Sequence, residues 1–228
     1  MGGRNVGGAA PAVGGSPDMT MPGGEAGAVN SVSAGAGGQA PACDQVEVAA
    51  TLDLDTWIDE VSRKTSWPDD PVLSVVGSPG ERRALLQLSL PAAPVNAELR
   101  GASLRLHLES NADPAARVRQ LAVHSLSQSI DADASWTNAV KNRKWSTEGG
   151  DFGPQRAELM VPEGASNVTV AFDVTDLVRG AVGATPVSLS LVVLEIGVVP
   201  PAPAQLAFTS SEGDASNAPR LSLTYCEP

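Results

Sequence analysis

Cys43 and Cys226 are the only two cysteines in a chain of 228 residues, and they bracket everything in it that reads as folded. Cys226 closes the run 219–226, where Leu221, Leu223 and Tyr225 alternate with Arg220, Ser222 and Thr224. Period two marks a strand with one face buried and one face wet. Cys43 stands where low-complexity sequence gives way to alternating strands. A Cys43–Cys226 bond would hold the first and last strands side by side, so that everything between them must leave and return. The alternative is a pair of buried thiols. The bond would close a loop of about 180 residues, a restraint on the unfolded chain of roughly 4–5 kcal/mol. Structural disulfides belong to oxidising compartments, so a secreted or cell-surface protein is expected. The residues after Met1 hold no apolar stretch of signal-peptide or membrane-span length, and we expect the export address to lie upstream or to have been removed.

Residues 1–42 hold twelve of the 23 glycines and no aromatic residue. Such a segment cannot bury enough apolar surface to offset the entropy of ordering it, and it reads as a disordered linker or stalk. Residues 43–228 suffice for one domain with a single core. The net charge is −11, and Arg4, Asp18 and Glu25 leave the domain alone at about −10. An acidic domain without a basic face is a poor nucleic-acid ligand. It also lacks the basic amphipathic helix that would hold a membrane surface. A monomer that inserts in no membrane is expected.

Strand patterns fill the domain: 45–51, 54–59, 72–76, 83–90, 98–109, 118–125, 157–161, 167–174, 187–196, 205–211 and the closing run. In 98–109, Leu104, Leu106 and Leu108 face one way, and Arg105 and His107 the other. Leu121 and Val123 are expected to face inward. One helix is predicted, over 175–182, with Thr175 as its N-cap, Asp176 at the positive end of its dipole and Gly183 as its stop. A long polar segment, 131–154, carries two tryptophans. Many short strands spaced by turn residues predict an antiparallel sandwich.

In chain order, eight motifs resemble the DNRLRE-type domain, also grouped as carbohydrate-binding module family 96. They are DTWID at 55–59, VLSVVGS at 72–78, RALLQLSL at 83–90, ASLRLHL at 102–108, SWTNAV at 135–140, the segment 145–153, FDVTDLVRG at 172–180 and the segment 208–225. Ser66-Trp67-Pro68 replaces the Asn-Tyr-Gly turn typical of that family. The resemblance implies a jelly-roll β-sandwich of the kind carried by secreted polysaccharide-active or surface proteins.

Catalytic signatures are absent from the sequence. No GxSxG, HExxH or phosphate-cradling loop occurs, and no Cys or His pair has zinc spacing. His107 and His124 sit in the polar phase of their strands and are expected to face outward. The carboxylate pairs Asp53/Asp55 and Asp131/Asp133 could in principle serve glycoside hydrolysis, but i,i+2 carboxylates are common on solvated strand faces. Asp173 and Asp176 read as turn and cap residues.

Binding reads better. Sugars stack their C–H faces on aromatic rings. Trp136 and Trp145 flank Asn138, Lys141, Asn142, Arg143 and Lys144, the only locally basic run, and Trp67 lies in a second loop. Rings beside cations suit an acidic polysaccharide. The competing reading has the two indoles pinning the loop to the sandwich. A calcium ion could be held by Asp55 with Glu212, Asp214 and Asn217 if the first and last strands are neighbours. The reading preferred for the last three is an ordinary Asx-rich turn before Pro219. The expectation is therefore a non-catalytic, extracellular carbohydrate-binding module. A structural or adhesive surface protein with a protein partner and a polysaccharide-degrading enzyme are the alternatives.

Overall fold

A computed structural model describes residues 43–113, 117–181, 187–197 and 204–227. The expected linker 1–42, and the Val182 and Gly183 end of the predicted helix, lie outside the described residues. In chain order the elements are β1 (Asp44–Ala49), β2 (Thr51–Asp59), β3 (Val72–Val75), β4 (Arg82–Leu90), β5 (Glu98–Asn111), β6 (Arg119–Leu126), β7 (Asn138–Val140), β8 (Arg143–Lys144), β9 (Phe152–Val161), β10 (Val168–Asp173), α1 (Thr175–Ala181), β11 (Val187–Ile196), β12 (Leu206–Thr209) and β13 (Arg220–Glu227).

Two antiparallel sheets face each other. The first contains β1, β13, β5, β12 and β3, with β10 on the other side of β5. The second runs β2-β4-β11-β6-β9. The pairs β3–β12, β4–β11, β5–β10 and β6–β9 nest inside one another. A long hairpin wrapped over itself gives this nesting, which is the jelly-roll topology. The tip of that hairpin is the excursion 127–151, which carries β7 and β8. β1 pairs with β13, with Gln45 opposite Cys226, and the Cys43–Cys226 disulfide joins these two strands.

Alternation decides which side chains enter the core. Leu104, Leu106, Leu108, Leu221, Leu223, Tyr225, Phe172 and Phe208 come from the first sheet. Leu86, Leu88, Leu121, Val123, Leu191 and Val193 come from the second. The second sheet is buried on its other face too. Leu85, Ala122, Val192 and Leu194 point away from the main core and join Ile58, Ile130, Ala134, Ala139, Trp136 and Trp145 in a separate apolar cluster. A sheet covered on both faces needs continuous apolar strands, and this accounts for LSLVVL in β11 and RALLQL in β4. Gln87, on the covered face, serves the backbone of the cover. Its Oε1 accepts from the Ile130 N–H at 3.1 Å and from the Ser190 hydroxyl at 2.7 Å.

Three local expectations are corrected. Thr175 is the first helical residue, not the cap. The Asp173 carboxylate accepts from its N–H at 3.0 Å, and the Thr175 Oγ1 accepts from the Ala102 N–H of β5 at 2.8 Å. His124 is buried, not outward in solvent, because the ring of Phe152 lies 4.7 Å from its own. Asp55 leaves the wet face because the register of β2 shifts between Leu52 and Leu54. It is buried while Asp53 stays exposed and accepts from the Ser89 hydroxyl at 2.6 Å.

Candidate functional site

The excursion 127–151 is held by its own polar groups and by the sheet beneath it. Asp131 accepts from the N–H groups of Asp133 (3.0 Å) and Lys141 (3.1 Å). Asp151 accepts from the N–H groups of Ser146 (2.8 Å) and Thr147 (2.6 Å) and from the Gln128 amide (2.6 Å). Burial would raise the Asp151 pKa, but these donors outweigh it and hold the carboxyl below its usual range. Below the loop, the Arg83 guanidinium lies 4.7 Å from the Trp136 ring centroid and donates to the Gly149 carbonyl at 2.7 Å. Gly149 has φ near 86°, and a Cβ there would meet Arg83 Nη1 at 2.7 Å, so glycine alone fits.

Trp136 and Trp145 are 6% and 5% exposed. The Trp145 Nε1 donates to the Ser135 carbonyl at 2.9 Å. The expectation that these rings form a sugar-stacking platform is therefore corrected: they are pins, buried because the outer face of the second sheet offers them an apolar floor. Trp67 is half-buried and stacks on Trp57, with centroids 4.5 Å apart and planes 9° from parallel. The Trp57 Nε1 donates to Asp70 at 3.1 Å, whereas the Trp67 Nε1 has no partner among the described residues.

The predicted cations divide. Lys144 and Asn138 line a groove of about 480 Å³ together with Arg63, Lys64, Thr137 and Glu148. Lys141 and Arg143 are exposed beside it but do not line it, and Arg143 reaches the Ser129 hydroxyl at 3.3 Å. The two walls are stitched together. Thr137 donates from its N–H (3.2 Å) and its hydroxyl (3.3 Å) to the Arg63 carbonyl, and Arg63 pairs with Glu148. Arg63 and Lys64 were missed from sequence. The Arg-Lys dipeptide was visible, but its partner in the other wall lies 74 positions away.

The four predicted calcium ligands split into two pairs. Asp55 accepts from the N–H (2.9 Å) and hydroxyl (2.6 Å) of Ser211, and the same hydroxyl reaches Glu212 at 2.9 Å. Burial pushes the Asp55 carboxyl up to about 6; the Ser211 hydrogen bonds oppose that rise, and the charge of Glu212 adds to it. Asp214 is occupied in an Asx turn, accepting from the N–H (2.9 Å) and hydroxyl (2.8 Å) of Ser216 and from the Asn217 amide (3.3 Å). Among the described residues no three His, Cys, Asp or Glu side chains converge as a metal site, which corrects the four-ligand expectation. No helix among those residues is long and apolar enough to cross a membrane.

No family model matches the chain, and no curated protein matches it. Among solved structures, a mutant of the unassembled Washington University polyomavirus VP1 pentamer is matched at 10% identity and a TM-score of 0.24. The match covers 80% of this chain and 93% of that one.

Proposed function

We propose that the domain is a non-catalytic, extracellular carbohydrate-binding module of the DNRLRE type, and that it takes an acidic polysaccharide in the groove between loops 60–71 and 127–151. The observation that carries this reading is that Lys64 and Lys144, beside an Arg63 paired with Glu148, leave one groove net positive in a strongly acidic protein. Cations gathered against the prevailing charge favour an anionic ligand, and the carboxylates of uronic acids match them. Thr137 and Asn138 supply the hydroxyl and amide that sugar hydroxyls pair with. The disulfide suits an extracellular setting. Affinity electrophoresis in gels containing polygalacturonate or neutral dextran tests the reading. Retardation is expected in the charged gel only, weaker at higher salt, and lost in the double variant Lys64→Ala/Lys144→Ala. Equal mobility of the variant and the parent chain would reject the groove.

The burial of Trp136 and Trp145 favours a second reading, a structural or adhesive surface protein with a protein partner. A glycan array showing no ligand at low salt would move the balance to it.

A further inference from the structure

The outer face of the first sheet carries charge that the groove does not use. β13 and β5 place Arg220 directly opposite Arg105, and β10 places Thr169 opposite His107. The alternate residues Leu104, Leu106, Leu108 and Leu221 are buried, so these polar side chains stand on the solvent side. Like charges facing each other across a ladder destabilise it. In a chain with 26 Asp and Glu against 15 Lys and Arg, a carboxylate between them would be the simple remedy. None is there. Among the described residues Arg105 has no ion pair and no hydrogen bond. Arg220 donates only to the carbonyls of Ala215 (3.3 Å) and Ser216 (3.1 Å). Asp214, within electrostatic reach of His107, is already bound to Ser216 and Asn217.

Arg105, His107, Thr169, Ser216, Asn217 and Arg220 line a recess of about 140 Å³. We propose that this recess is an oxyanion site for a tetrahedral group of the sulfate or phosphate type. One guanidinium fork saturates the two oxygens of a planar carboxylate. Here two guanidinium groups come from adjacent strands and the Thr169 hydroxyl, 3.5 Å from His107 Nδ1, comes from a third, while the Ser216 hydroxyl is committed to Asp214. Donors spread over several planes match an anion whose oxygens point in several directions. The site shares no residue with the groove, so its standing is independent of the polysaccharide reading.

The test uses the full chain and the ring resonances of its two histidines. Sodium sulfate is titrated against chloride at constant ionic strength. His107 is expected to shift saturably, while His124, buried on the other sheet, stays still. Arg105→Gln and Arg220→Gln should each weaken the titration by about tenfold or more, the loss of one charge-assisted contact. Lys64→Ala/Lys144→Ala should leave it unchanged. Removing one of two opposed charges should also leave Tm equal or raise it in sulfate-free buffer, which separates lost binding from lost folding. Dextran sulfate and inorganic sulfate distinguish the source: tighter retention of the polymer, lost in Arg105→Gln, assigns a sulfate ester, and equal affinity per sulfate assigns the free anion. A His107 that does not saturate, or one that titrates equally in Arg105→Gln, overturns the site.

Discussion

The carboxyl group of Asp55 lies under the corner where β2 of one sheet meets the turn after β12 of the other, with Ser211 as its donor and Glu212 as its neighbour. A folded-state pKa near 6, above the ordinary 3.8, means that the native protein holds this proton more firmly than the unfolded chain. The contribution is fully present below about pH 4 and is lost as pH rises through about 6. It amounts to an order of magnitude of 2–3 kcal/mol. Asp55→Asn is uncharged throughout and can still exchange hydrogen bonds with Ser211. Denaturant titrations at pH 4 and pH 7.5 should show that the variant lacks roughly this much of the parent's pH-dependent loss. Identical pH dependence in both chains would contradict the account. The sequence could not reveal this environment. Asp53 and Asp55 read as an i,i+2 pair on a wet face, and only the register shift at Leu52 sends one inside.

At the scale of elements, the excursion 127–151 turns a half-buried sheet into a fully buried one. Trp136 and Trp145 are its main apolar anchors, and replacing a buried indole by alanine typically costs about 3–5 kcal/mol. Trp136→Ala should lower stability by about that amount and speed amide exchange most strongly over 127–151, with β5 and β13 still protected. Uniform loss of protection would mean that the loop is no separate unit. The strands beneath were legible: VSLSLVVLEI read as a strand over 187–196, and the structure bounds β11 at those residues. The burial of the tryptophans was not. Their neighbours in sequence are polar, and the apolar cluster they join draws Ile58, Leu85 and Val192 from three distant strands. The groove is half legible for the same reason. Lys144 and Asn138 sit in one visible run, while Arg63 and Lys64 reach them only through the fold.

For the whole molecule, period two identified most strands, and the paired cysteines correctly placed the first beside the last. The nesting of β3–β12 through β6–β9 was not visible, because each pair joins segments whose separation no local pattern encodes. The disulfide spans 183 residues of chain. Reduction should lower stability by roughly 4–5 kcal/mol, measured by urea titration with and without reductant. An unchanged midpoint would show that the sheets need no tether. The same bond has a mechanical consequence. Tension applied between whatever precedes Cys43 and whatever follows Cys226 passes directly through the two sulfurs and bypasses every strand. A pulling experiment from those ends should find an inextensible link, and only after reduction should a hidden length on the order of 600 Å be released.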